Sequence, residues 1–247
     1  IGFFGALPFY FEGEFPTFVD AFFESVSGFT TTGSSVLTNI EAVSKGLLFW
    51  RSLIQWLGGM GIIVLAVAIF PMLGIGGMQL YRTESPGPVK DNKLTPRITE
   101  TAKALWYIYL GLTVSCALAY WAAGMSIFDA ISHSFATVAI GGFSTHDASI
   151  GFFNSGTIEA VACLFMVLSG VNFGLHFLVW RRRNPFHYCQ DFEVRAYLTF
   201  LVLIGVLLLQ LLRLRLVVDL NLLHVIALLL LLYLYFLILQ VNQSPFY

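Results

Sequence analysis

Long apolar runs separated by short polar connections dominate the pattern of this chain. A membrane-spanning helix needs about 20 residues at a rise of about 1.5 Å each to cross a hydrocarbon core of about 30 Å. Four segments meet this requirement, with the last a little short: 46–70, 104–125, 156–180 and 196–212. We therefore predict an all-α polytopic membrane protein.

Two shorter apolar segments, 16–29 and 126–139, lie between successive spans and are too short to cross a bilayer. Each one continues into a stretch rich in glycine, serine and threonine, at 30–35 and 140–145. A short helix followed by an irregular polar strand is typical of a re-entrant hairpin. Irregular backbone at membrane depth survives only where it is buried in protein or lines a water-filled path. The pattern therefore favours a pore.

The two hairpins are internal repeats that superimpose at a constant offset along the chain. The identical pairs are Asp20 and Asp129, Ala21 and Ala130, Ser25 and Ser134, Gly33 and Gly142, and Ser35 and Ser144. Repeated polar segments are expected to surround a shared pseudo-symmetry axis. Since two units do not close a ring of four, we expect the parent protein to be longer.

This repeat divides the chain into five parts. The first pore repeat is 1–80, with a truncated first helix, a pore helix at 16–29, a filter at 30–35 and a span at 46–70. The second pore repeat is 98–183, with a span at 104–125, a pore helix at 126–139, a filter at 140–145 and a span at 156–180. The remaining parts are a cytoplasmic loop at 81–97, the first span of a third repeat at 184–212, and an unassigned leucine-rich tail at 213–247.

Composition and charge placement agree with this topology. The chain of 247 residues is 57% hydrophobic and 11% charged, with a mean hydropathy of +0.80, whereas soluble domains carry about a quarter charged residues. Basic residues cluster in the 81–97 loop and at 181–183, which the positive-inside rule assigns to the cytoplasm. We expect a multi-pass membrane protein that contacts lipid and no nucleic acid.

The two glycine-bearing segments have the composition of a cation filter. Removing the hydration shell of a small cation costs on the order of tens of kcal/mol unless other oxygens replace the water. Potassium filters supply backbone carbonyls, and glycine permits the unusual φ that this requires. The predicted filter residues are Thr31, Thr32, Gly33, Ile140, Gly141 and Gly142, with K⁺ itself at Thr31, Thr32, Ile140 and Gly141. No other cofactor is expected.

Other polar and glycine positions have simpler interpretations. Acidic residues near the outer ends of the hairpins either concentrate cations at the mouth or form an ordinary solvated face; they are Glu12, Glu14, Glu24 and Asp147. Arg51, near the outer end of its span, is expected to extend its guanidinium to the interface or, alternatively, to have a role near the pore mouth. The glycines at 58, 59 and 61 indicate close helix packing or, alternatively, a hinge. Four histidines form no ligand spacing and are treated as structural: His133, His146, His176 and His187.

These segments resemble a known family. Two stretches closely resemble the first repeat of the Trk/Ktr potassium-uptake proteins, TrkH type: FFESVSGFTTTGSSV and FWRSLIQWLGGMGIIVLAVAIFPMLGIGG. A third stretch resembles the second repeat of that family: FDAISHSFATVAIGGFSTHDASIGFFNS. The resemblance covers residues 1 to 212, and the tail from Arg213 onward does not resemble the third pore helix and filter that the family has next.

The resemblance implies potassium uptake through four helix–pore helix–helix units around one pore, each of which gives one filter segment. It also implies a homodimer in a bacterial inner membrane, gated by a cytosolic ring of nucleotide-binding, TrkA-like subunits. Carried onto this chain, it assigns filter carbonyls to 31–33 and 140–142. Because Ile140 and Gly141 have no hydroxyl, the second segment offers backbone ligands only, which implies weaker ion discrimination than the five-residue channel signature gives. Coupling to protons or sodium stays open.

Two other functions compete with transport. An intramembrane hydrolase needs a nucleophile and a base at matched depth, but Ser27 and Ser134 precede no G-x-S-x-G elbow and no histidine recurs with them in both repeats. A structural membrane subunit without an ion path is the second alternative. Replacing Gly33 or Gly142 by a bulky residue distinguishes the structural subunit from the transporter.

Overall fold

The structure of the chain is a computed structural model that describes residues 1–68 and 94–213. Within these two ranges all regular secondary structure is helical. The α-helices, in chain order, are α1 (Gly2–Phe11), α2 (Phe18–Phe29), α3 (Lys45–Ala68), α4 (Leu94–Ala122), α5 (Ile127–Val138), α6 (Gly156–Ser169), α7 (Phe173–Arg182), α8 (Phe186–Gln190) and α9 (Phe192–Arg213). Two short 3₁₀ helices, Ile40–Ala42 and Ser149–Phe153, follow the two glycine-bearing segments.

The first repeat consists of α1, α2 and α3, with the short α2 packed between the other two. Helix α2 starts at a reciprocal cap, because the Thr17 hydroxyl accepts from the backbone N–H of Asp20 and donates to its carboxylate. This arrangement satisfies an N–H that would otherwise lack a partner at the start of the helix. The buried core of the repeat contains Ala6, Phe9, Phe15, Ala21, Val43, Leu47, Leu48 and Ile54.

The second repeat repeats this arrangement with α4, α5 and α6. Helix α5 packs against α4 and α6, and its first turn carries the same cap, with Ser126 and Asp129 in the places of Thr17 and Asp20. Its core contains Tyr109, Cys116, Tyr120, Met125, Ala130, Val138, Ile158, Ala162 and Phe165. Helix α3 of the first repeat also packs on α5. The two short helices, α2 and α5, are therefore linked through α3.

The segment 156–180, predicted as one span, is two helices. Helices α6 and α7 meet at an angle of 88° across the residues between Ser169 and Phe173. Gly170 ends α6, and the Asn172 side chain accepts from the backbone N–H of Gly174 at the start of α7. An asparagine that caps a new helix competes with continuation of the preceding one. By length and composition the two helices together still qualify as one broken span or as a re-entrant loop, so the predicted span is bent at this point.

The other predicted segments are described only in part. Residues 94–97 of the predicted cytoplasmic loop belong to α4, while 81–93 lie outside the described residues, as do 69–70 of the first span and 214–247 of the tail. By length and composition, Lys103–Ala122 is long and apolar enough to cross a membrane, and the bent pair α6–α7 adds a second span if it counts as one. Helices α8 and α9 pack on each other in a separate unit.

Gly58 and Gly59 on α3 allow the C-terminal ends of α2 and α5 to lie close to α3. A Cβ at Gly58 would overlap the carbonyl oxygen of Phe29, and one at Gly59 would lie 2.7 Å from the Tyr109 hydroxyl and 3.1 Å from the Cβ of Ala139. Gly61 differs, because nothing among the described residues lies within 4 Å of its Cβ position. The glycines at 58 and 59 are therefore packing positions, as small residues in membrane helix interfaces usually are.

Replacing Gly58 by alanine should push the end of α2 away from α3. Because the obstacle is backbone and cannot rotate away, we expect a loss of about 1–3 kcal/mol in unfolding free energy, the range for overpacked sites. The loss is measurable as a lower unfolding temperature of the full-length protein in detergent. Gly61→Ala is the matched control on the same helix and should leave that temperature unchanged. Equal effects of the two substitutions would contradict this account.

Candidate functional site

Both pore helices end in the same backbone motif. After α2, the N–H of Thr31 bonds to the carbonyl of Gly28 at 3.0 Å, and the N–H of Thr32 bonds to that of Ser27 at 2.9 Å. After α5, Ile140 and Gly141 make the corresponding bonds, at 3.1 and 2.8 Å. These pairs define a Schellman cap, which requires a left-handed residue just past the helix.

The left-handed positions in both caps are β-branched residues. Thr31 has φ +54° and Ile140 has φ +53°, a region that β-branched side chains rarely enter. Such backbone costs about 1–3 kcal/mol per residue and is usually found at functional sites. Because the same strained position recurs in both repeats, the conformation belongs to the repeated unit and is not an irregularity of one loop.

A glycine with positive φ follows two residues later in each segment, and the two segments meet there. Gly33 has φ +75° and Gly142 has φ +86°. A Cβ at Gly33 would overlap the carbonyl oxygen of Gly141 and would lie 3.5 Å from the Cα of Gly142. The structure thus brings the two predicted filter segments into backbone contact, with room for hydrogen only on Gly33.

The carbonyl groups of these segments fall into two sets. Among the described residues, five of the predicted filter carbonyls accept no hydrogen bond: those of Thr31, Thr32, Gly33, Ile140 and Gly142. The Gly141 carbonyl differs, because it accepts from the Gln55 side chain at 2.8 Å and Gly141 is buried. Ile140 is 49% exposed and Gly142 is also exposed. The predicted K⁺ ligand at Gly141 therefore faces α3, while its neighbours lie on an open face.

Arg51 and Glu24 form a buried ion pair behind the two segments. The Arg51 Nε lies 2.6 Å from Glu24 Oε1, and the two side chains are 2% and 0% exposed. Arg51 Nη1 also donates to the carbonyl of Ser144 at 3.1 Å, and its guanidinium lies 3.9 Å from the centre of the Phe143 ring. The expectation that Arg51 reaches the interface is wrong, because its charge is neutralised inside the protein.

Glu24 holds the end of the first segment. Its carboxylate accepts from the Ser35 hydroxyl at 2.9 Å and from the backbone N–H of Val36 at 3.1 Å. Glu24 was predicted to lie at the outer mouth among the acidic residues. The structure corrects this prediction, because the side chain is buried. His133 occupies the corresponding position in the second repeat, where its Nε2 lies 2.9 Å from the Ser144 hydroxyl.

Asp147 lies on the outer side of the second segment. It is exposed, and its carboxylate accepts from the backbone N–H of Ile40 at 2.8 Å. This bond ties the loop after the second segment to the loop after the first. Asp147 therefore has a structural partner in addition to the predicted role in attracting cations.

Gln55 is the site residue that sequence reasoning passed over. It is fully buried, one helical turn after Arg51 on the same face of α3. Its amide donates to the carbonyl of Gly141, and its oxygen accepts from the backbone N–H of Phe143 at 3.1 Å. The available signal was a pair of polar residues at positions i and i+4 in an otherwise apolar span, since intramembrane polar groups usually serve function.

Comparison with known proteins places the chain in a family. The family model described as "TrkH: Cation transport protein" matches residues 2–246. The chain is a member of the TrkH family. The match reaches through most of the leucine-rich tail that the sequence left unassigned, and the fold is accordingly that of an all-α polytopic membrane protein.

Individual TrkH relatives agree. The chain is 61% identical over 204 residues to the Trk system potassium uptake protein TrkH of Halomonas elongata, covering 81% of this chain and 42% of that protein. It is 59% identical over 199 residues to the Escherichia coli K12 protein of the same name, with 80% and 41% covered. The crystal structure of the potassium transporter TrkH from Vibrio parahaemolyticus matches with a TM-score of 0.74 and 49% identity, over 86% of this chain and 43% of that one. The chain thus spans about two-fifths of the length of these relatives.

The buried ion pair predicts strongly non-additive mutational effects. Glu24→Gln or Arg51→Met alone leaves one buried charge without a counter-charge, so each should lower the unfolding free energy by about 3–5 kcal/mol. The double variant removes both charges and should lose less than either single variant. Thermal unfolding of the full-length protein in detergent measures this cycle. Additive losses would show that the two side chains are not energetically coupled.

Proposed function

We propose that this chain provides two of the filter segments of a potassium-uptake protein, in which backbone carbonyls replace the hydration shell of the ion. The observation that carries the proposal is the meeting of two duplicated glycine segments whose carbonyls lack donors on an exposed face. Carbonyl oxygens are the ligands of potassium filters. The identity of the ion is taken from the relatives, which are named as potassium uptake proteins.

The ligand set in this proposal differs slightly from the one predicted from sequence. The carbonyls of Thr31, Thr32 and Ile140 are kept as K⁺ ligands, with Gly33 and Gly142 beside them. Gly141 is removed, because its carbonyl already accepts from Gln55. The C-terminal ends of α2 and α5, which carry partial negative charge, lead directly into the two segments and favour a cation beside them.

The rest of the assembly follows from the same proposal. Because a ring of four segments is needed around one ion path, the two other segments come from parts of the protein outside this chain. We further propose a homodimer in a bacterial inner membrane, gated by a cytosolic nucleotide-binding subunit of the TrkA type. The exposed arginines at the C-terminal end of α7, residues 181–183, act mainly as topology determinants and secondarily as a docking surface for a cytosolic partner.

The test of this proposal is Gly142→Ala in the full-length protein. At φ +86° an L-residue is strained, yet nothing among the described residues lies within 4 Å of the Cβ position, so the substitution changes backbone preference without a described clash. We expect potassium uptake in a transport-deficient cell to fall by about tenfold or more, because the filter carbonyls lose their direction.

Gly13→Ala is the matched control. Gly13 has φ +80°, also has nothing within 4 Å of its Cβ position, and lies in the turn after α1, away from the filter segments. It should keep near-normal uptake. Uptake that survives Gly142→Ala as well as Gly13→Ala, at equal protein levels, would favour a structural subunit without an ion path.

A further inference from the structure

The Gln55 carboxamide brackets a single residue of the second segment. It donates to the carbonyl of Gly141 and accepts from the N–H of Phe143, so its two bonds fall on the two peptide groups that flank Gly142. With both peptide planes held, the φ and ψ of Gly142 are fixed from outside the segment. Gln55 therefore acts on this glycine as a neighbouring strand would.

Fixing these planes also fixes the direction of the Gly142 carbonyl. In a trans peptide the C=O and N–H groups point in opposite directions. Because the Phe143 N–H points to Gln55, the Gly142 carbonyl of the same peptide points away from α3. Gly142 lies on the exposed side of the segment, whereas Gly141 is buried. The hydrogen bond between Gln55 and the Phe143 N–H therefore directs the Gly142 carbonyl toward the exposed side of the segment.

The fit between Gln55 and the segment is tight. A Cβ at Gly141 would overlap the Gln55 carboxamide, so the residue there needs to be glycine for the bonds to form. The carbonyl that Gln55 holds is also the atom that a Cβ on Gly33 would overlap. A rotation of the Gly141 peptide would therefore disturb the first segment as well as the second.

We propose that Gln55, a residue of the first repeat, is a positioning residue that sets ion discrimination at the second repeat's filter by fixing the peptide groups around Gly142. The inference rests on the proposed function. Discrimination among cations depends on the number and direction of carbonyl ligands. Without the two side-chain bonds, the flanking peptides of a glycine can rotate, since glycine has access to both signs of φ.

The experiment compares Gln55→Leu with Ser52→Ala in the full-length transporter reconstituted in liposomes, and it measures the ratio of K⁺ to Na⁺ permeability. Leucine keeps the side chain large and removes both bonds, so the ratio should fall by about tenfold, because two hydrogen bonds that hold the selective geometry are lost. Ser52 is equally buried on α3 but donates only to the Leu48 carbonyl of its own helix. Its variant should keep the wild-type ratio.

Gln55→Met tests the same point with the length of the side chain retained. The thioether has no hydrogen to donate to the Gly141 carbonyl, so the ratio should again fall. The permeability ratio is a property of each assembled transporter, so it can be measured even where a variant accumulates poorly. A residue that only aids folding would lower the amount of protein and leave the permeability ratio unchanged. Wild-type ratios in both Gln55 variants would overturn the inference. Absence of K⁺ flux through the wild-type protein would instead overturn the proposed function.

Discussion

The polar face of α3 is the constraint on which the rest of the described structure depends. Arg51 and Gln55 are both buried, and polar groups taken out of water are costly unless each finds a partner. Their partners are Glu24 and the backbone of the second glycine segment at Gly141, Phe143 and Ser144. Because Glu24 in turn holds Ser35 and Val36, a single network connects both segments with one helix. The irregular backbone is stable inside the protein because side chains supply the donors and acceptors that regular secondary structure would otherwise provide.

Duplication and divergence act on different parts of this arrangement. The helix caps at Thr17 and Ser126, the Schellman ends and the left-handed positions are the same in both repeats, so the backbone path of each hairpin is inherited as a unit. The bracing side chains differ. Glu24 and His133 occupy equivalent positions and reach equivalent serines, Ser35 and Ser144, but with a carboxylate in one case and an imidazole in the other. Backbone geometry can thus be repeated while the charge behind each segment changes.

The sequence predicts the short helices and the glycines of the site better than it predicts the contacts between buried side chains. Segment length alone identifies α2 and α5 as too short to span, and the repeat locates Gly33 and Gly142, because both signals are local. The pairing of Glu24 with Arg51 is not local: periodicity gives the depth of Arg51 along its helix but not the helix that faces it, so an interfacial position was the reasonable expectation. The break between α6 and α7 was hidden for a related reason. Apolar residues surround Gly170 and Asn172, and hydropathy does not distinguish a capping asparagine from one inside a span. The repeat did contain one unused signal, since its offset aligns Glu24 with His133 and so marks both as candidates for the same contact.

The distribution of satisfied and free carbonyls indicates what the open face of the segments meets. Buried backbone acceptors are almost always hydrogen-bonded, and the Gly141 carbonyl obeys this rule by accepting from Gln55. The carbonyls of Ile140 and Gly142, on exposed residues of the same segment, have no donor among the described residues. In the proposed pore, water or a cation would satisfy them, whereas contact with lipid would leave them unsatisfied at a cost of several kcal/mol each. The strained residues Thr31 and Ile140 lie at the start of this face in both repeats. The proposal therefore accounts both for the free carbonyls and for the unfavourable backbone that presents them.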